Sequence, residues 1–211
     1  MSILTGSEIY KEVQAGRITI DPFDPNQINP NSYNLRIDRR LLVYRPPVYD
    51  YEEHQRRRKI PRVDKNMPHF NDVVLDCHAD NLTDEYFIED SGFMLQPGIL
   101  YLGTTFERTF TDHYVPVISG RSSTGRLSMS VHVTAGFGDI GFDGKWTLEI
   151  TVLHNLIIYP RDEMLQVYFE TPQGDRDYLY DGRYNHQTDV TASRFYMPKK
   201  GSFDFGQMPV E

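Results

Sequence analysis

The chain has 211 residues, 39% hydrophobic and 25% charged, enough to bury a real core in an ordinary globular composition. Its formal net charge of −8 argues against a protein that coats nucleic acid, though a few arginines still suffice for one small anion. The sequence has no apolar run of membrane-spanning length, no basic-then-apolar leader, and only Cys77, too few thiols for a disulfide or a multi-cysteine metal site. No membrane association is expected, and the cytoplasm is the default setting.

The first element reads as a short helix. Thr5 and Glu8 have capping-box spacing, Gly16 stands where a C-terminal cap belongs, and Ile9 and Val13 face the core. A Pro- and Asn-rich loop over 21–32 leads into an extended segment over 32–37. A polar stretch follows, within an insertion over about 45–90. It contains Pro46-Pro47 and the basic run Arg56-Arg57-Arg58-Lys59, which suits a solvated loop or a contact with a partner subunit or phosphate. From about residue 92, short runs rich in β-branched and aromatic residues alternate with Gly, Pro, Asp and Asn, as in a sandwich or barrel. They cover 99–102, 115–118, 129–134, 146–153 and 164–169. In the fourth run one face carries Trp146, Leu148, Ile150 and Val152, and the other Thr147, Glu149 and Thr151.

Three stretches carry candidate chemistry. In Gly120-Arg121-Ser122-Ser123-Thr124-Gly125-Arg126, serines at a turn can open a short helix whose free N–H groups favour an anion. The two arginines can fork onto phosphate oxygens. A capped turn with two surface arginines has the same sequence. The segment from Val131 through Thr134, Ala135 and Asp139 to Gly144 reads as a strand entering a Gly- and Asp-rich hairpin, where backbone groups can read the edge of a flat ring. A plain tight hairpin uses the same residues. His132, between two valines, reads as a packed strand histidine rather than a catalytic one. Glu149 stands alone among apolar and Thr residues, where partial burial would suit it to general acid and base work. An exposed edge or an intersubunit salt bridge would also place a carboxylate there.

In their order and spacing these segments resemble the dCTP deaminase family, a branch of the trimeric dUTPase superfamily. The resemblance runs over most of the chain. It takes in Asn29-Pro30-Asn31-Ser32-Tyr33-Asn34-Leu35-Arg36, Phe93 to Thr105 with Pro97-Gly98, the Arg121 and Glu149 segments, and Gly182-Arg183-Tyr184-Asn185-His186-Gln187 followed by Ala192-Ser193-Arg194. It implies one mainly β domain over 1–211, a distorted jelly-roll or β-barrel of the trimeric dUTPase type with a few short helices. It also implies a homotrimer with active sites between subunits. By the same resemblance, Glu149 activates the water that attacks C4 of cytosine, with Ser122 near that water, and Arg126 is counted with these two as catalytic. Arg121, Ser122, Ser123 and Arg126 hold phosphates. Thr134 and the Ala135 backbone position base and water, and Asp139 takes the 3′-hydroxyl. Tyr178 or Tyr180, Arg183 and Gln187, in a closing segment over about 178–211, cover the triphosphate. The chain departs from the family in reading Asp139-Ile140-Gly141 for Asp-Pro-Gly, Gly138 for an aliphatic residue, Arg183 for lysine, and Asn185-His186 for Gly-containing pairs.

The expected reaction is deamination of dCTP to dUTP, with dTTP a candidate inhibitor. Zinc-type deaminases need Pro-Cys-x-x-Cys, which one cysteine cannot supply, so no zinc is expected and Mg2+ arrives on the triphosphate. A close alternative also hydrolyses dUTP to dUMP and pyrophosphate in the same site; Ala135-Gly136-Phe137 inclines toward it. A dUTPase without deaminase activity fits less well, because Lys200-Gly201-Ser202-Phe203 poorly matches a glycine-rich arm. A non-catalytic nucleotide-binding trimer leaves Glu149, Ser122 and both arginines without a purpose.

Overall fold

A computed structural model describes residues 2–45 and 75–198. The Arg56–Lys59 run, the Lys200–Phe203 segment and the parts of the insertion and the closing segment within 46–74 and 199–211 lie outside the described residues.

Local chemistry sets the first helix as expected. Helix α1 (Gly6–Gln14) starts where the Thr5 hydroxyl accepts the Glu8 N–H, and Gly16 follows its end at φ +74°. One face seats Ile9, fully buried, in the core. Glu12 on the same helix is also buried, and its carboxylate accepts two hydrogen bonds from the Arg17 guanidinium. That pairing outweighs burial and holds the carboxyl down at about 2, against an ordinary 4.5. A depressed folded value means the pair stabilises the fold above the unfolded value and loses this contribution as pH falls toward 2. The stability difference between wild type and Glu12→Gln, read by urea unfolding, is therefore expected to stay constant above pH 5 and to shrink below it. A difference that holds steady down to pH 3 would contradict the pairing.

The rest is mainly β. In chain order the strands are β1 (Thr19–Asp21), β2 (Tyr33–Arg36), β3 (Arg40–Tyr44), β4 (Thr83–Phe87), β5 (Phe93–Leu95), β6 (Tyr101–Phe110), β7 (Val115–Gly120), β8 (Met129–Ser130), β9 (Asp143–Val152), β10 (Leu156–Ile158) and β11 (Glu163–Glu170). A five-residue helix, α2 (Ser122–Arg126), leaves the end of β7. Among the described residues the named strands all pair antiparallel, with one isolated parallel bridge from Gly144 of β9 to Gln187. The largest sheet runs β4-β3-β6-β9-β8 with β1 added to β6; β2-β11-β7 form a second and β10-β5 a third. Together they wrap one core as a distorted barrel, with Leu35, Ile118, Val167 and Phe169 from the second sheet packed in the same cluster as Leu41, Leu148 and Ile150 from the first.

Two expectations need correction. Strands begin well before residue 92: β3 and β4 pair over five residues each. The run over 129–134 is a strand only at Met129–Ser130. Beyond it the chain loops, because the Val131 carbonyl and the Val133 N–H turn to single groups on β9. His132 is therefore packed but lies in a loop, its ring so close to Gly136 that a Cβ there would sit 2.9 Å from Cε1.

Candidate active site

Strand β9 builds the site by alternation. Trp146, Leu148, Ile150 and Val152 are all buried, which turns Thr147, Glu149 and Thr151 to the other face. The Glu149 N–H donates to the Val131 carbonyl at 3.1 Å, and its carboxylate accepts the Val133 N–H at 2.9 Å. Those two bonds tie the 131–133 loop to the strand. They leave the second carboxylate oxygen, Oε1, without a hydrogen-bond partner among the described residues.

Glu149 lies in the wall of a cavity of about 710 Å3 that also holds Thr134, Ala135, Asp139, Tyr180 and Gln187. Six of the residues singled out in the sequence thus meet around one hollow, large enough for a nucleoside. Asp139 and Tyr180 continue into an adjoining hollow of about 550 Å3, where Tyr178 and Arg183 stand. The closing segment is docked on the start of β9: the Lys145 N–H donates to the Gln187 carbonyl at 2.9 Å, and the Gln187 amide N–H groups reach the Lys145 carbonyl. The Gln187 Oε1 is buried with no partner among the described residues, so an acceptor is left for a donor group of a ligand. Tyr180 is half-buried; burial pushes its phenol above the ordinary value, and its hydroxyl accepts the Tyr184 N–H at 3.3 Å.

Trp146 was legible as a core residue but not as part of the site. Its indole lines the same cavity, 4.8 Å from the Phe142 ring, with Nε1 donating to the Thr109 hydroxyl at 2.8 Å. This explains Gly138. A Cβ at 138 would stand 2.3 Å from the indole Cη2 and 2.9 Å from the Pro116 carbonyl, so a side chain there has no room.

The arginine segment lies elsewhere on the chain. Arg121 and Ser123 line a separate cleft of about 420 Å3 together with Arg161 and Glu163. Ser122 and Arg126 are exposed on α2 beside it. The Arg121 side chain carries no cap bond to the helix; its Nη1 donates instead to the carbonyl and carboxylate of Glu163. A single copy therefore gathers the base and sugar candidates with Glu149 in one place and the arginine segment in another.

Comparison with known proteins bears on the family and the fold. Residues 3–172 match the family model described as dCTP deaminase-like. The chain is 42% identical over 194 residues to a protein of Clostridium beijerinckii named "dCTP deaminase, dUMP-forming", covering 92% of this chain and 96% of that one. A protein of the same name from Cytophaga hutchinsonii is 40% identical over the same span. Among solved structures, the 2′-deoxycytidine 5′-triphosphate deaminase of Agrobacterium tumefaciens matches with a TM-score of 0.55 at 18% identity, a likeness of fold alone. The match covers 81% of this chain and about half, 48%, of that one.

Proposed function

The chain belongs to the dCTP deaminase-like family, and from that membership we propose that it converts dCTP and two waters to dUMP, pyrophosphate and ammonia. The observation that carries this reading is the Glu149 carboxylate, pinned by one oxygen to the Val133 N–H and set in the wall of a nucleoside-sized cavity. The dUTP end product expected first from the sequence gives way here to its alternative, because the relatives are named dUMP-forming.

In this reading the free Glu149 oxygen takes a proton from a water held near Ala135. That water adds to C4 of cytosine as Glu149 passes its proton to N3; Glu149 then moves the proton of the new C4 hydroxyl to the amino nitrogen, and ammonia leaves with the C4–N electron pair as the C4 carbonyl forms. A second water then attacks the α-phosphorus of the resulting dUTP and gives up a proton to solvent, and pyrophosphate leaves with the bridging oxygen and the electron pair of the broken α-phosphorus–oxygen bond. Asp139 faces the sugar, and Tyr178 or Tyr180, Arg183 and Gln187 close over the phosphates. The Glu149 cavity and the arginine cleft are separate in one copy, which fits the homotrimer implied by the family resemblance, in which Ser122, Ser123, Arg121 and Arg126 of one copy complete the cavity of the next. Mg2+ enters as part of the triphosphate substrate: among the described residues no three His, Cys, Asp or Glu side chains converge as donors for a resident ion. A dTTP molecule would compete for the same cavity.

Chromatography after incubation with dCTP and Mg2+ tests the reading. Equal amounts of dUMP and pyrophosphate, with no build-up of dUTP, are expected. Accumulated dUTP would reduce the function to deamination. Unchanged dCTP beside hydrolysed dUTP would leave only the dUTPase.

A further inference from the structure

We infer that Glu163 is a positioning residue for Arg121: it holds one edge of the guanidinium so that the other edge faces a substrate phosphate. This rests on the proposed role of Arg121 as a phosphate ligand.

Strand order brings the pair together. β11 runs between β2 and β7, so a residue at its start can touch both neighbours. Glu163 is that residue, paired with Arg36 of β2, and the register shifts between it and Leu165. Leu165 in turn pairs with Gly120, the last residue of β7, directly before Arg121. The Arg121 Nη1 donates to the Glu163 carbonyl at 2.8 Å and to its carboxylate Oε2 at 3.0 Å. The same Oε2 accepts the Asn34 side-chain amide of β2 at 2.6 Å.

The Glu163 carboxylate is fixed from behind. Asn34 is 4% exposed; its side-chain oxygen accepts from Asn29 at 2.6 Å, and its carbonyl accepts from Gln27 at 2.7 Å. The Asn29-to-Arg36 segment is thus wired to the arginine through one acidic group. Both Arg121 bonds use Nη1. Its Nε and Nη2, which form the flat two-pronged edge suited to a phosphate, have no partner among the described residues. Ser123 lines the same cleft. A partly exposed ion pair of this kind contributes little to stability, so its loss is expected to leave the fold intact. What it supplies is orientation.

The test is a double-mutant cycle read as KM and kcat for dCTP, with thermal melting as a control on folding. Glu163→Ala is expected to raise KM roughly tenfold and to leave kcat within about twofold. Glu163→Gln keeps an oxygen for Nη1 and Asn34, and should hold KM within about threefold of wild type. In the Arg121→Ala background, Glu163→Ala should add nothing, because the group it orients is gone. An equal KM penalty with and without Arg121, or an unchanged KM in Glu163→Ala while Arg121→Ala raises it, would overturn the inference. An unchanged KM in Arg121→Ala would overturn the phosphate role itself, and this one with it.

Discussion

Glu149→Gln is expected to lower kcat for dCTP by roughly 10^3-fold, the scale of a positioned general acid and base, while the Kd for dCTP stays close to wild type. The substitution is nearly isosteric. The amide oxygen still accepts the Val133 N–H, so the 131–133 loop keeps its tie to β9. What disappears is the ability of the second oxygen to take a proton from water. Binding is spared because the cavity's other walls, with Asp139, Tyr180 and Gln187, are untouched. Rapid-quench turnover and calorimetric binding on the same preparation separate the two effects. A variant with near-normal turnover would remove Glu149 from the chemistry, and one that no longer binds dCTP would make it a structural anchor of the loop.

Glu107→Ala is expected to be the most damaging substitution for the fold. Glu107 is fully buried in the irregular part of β6, where pairing with β9 shifts between Thr104 and Arg108. Its carboxylate accepts the Arg36 N–H at 2.8 Å, the Arg36 Nε at 2.6 Å and the Gln27 amide at 3.3 Å. Removing it takes the acceptor from the Arg36 backbone N–H and the counter-charge from the half-buried Arg36 guanidinium, while the Gln27 amide keeps its bond to the Asn34 carbonyl. Breaking one partner of a buried pair costs about 3–5 kcal/mol. For a chain of this size that corresponds to a fall in Tm of about 10 °C. Glu107→Gln, which keeps an acceptor of the same shape, should fall less. Two melting curves decide it: a drop below about 2 °C for the alanine variant would mean the network is dispensable.

Much of this was legible where local chemistry decides. The Thr5 and Gly16 caps place α1 whatever surrounds it, and the alternation in β9 assigns Trp146 to the core side and Glu149 to the other. β4 was hidden because it is an edge strand, and its Thr83-Asp84-Glu85 sequence carries the charges that edges use and loops also carry. The 131–133 segment was overread for the opposite reason. Its valines suit a strand, but the Val131 carbonyl and Val133 N–H are taken by Glu149. The roles of Gly138 and Glu163 depend on contacts across strands, with Trp146 in one case and Asn34 and Arg121 in the other. No pattern within a window of sequence contains them.

The even alternation of β9 also limits how such a chain can vary. Its ten residues carry both the buried side chains of the core and, one position out of phase, the carboxylate of the site. Inserting or deleting a single residue before Trp146 would turn Glu149 into the apolar interior and Leu148 into the cavity, so a single-step length change destroys fold and chemistry together. Length can drift in the connecting loops, but along this strand it must stay in phase, so the chain can vary here only by exchanging one side chain for another in place.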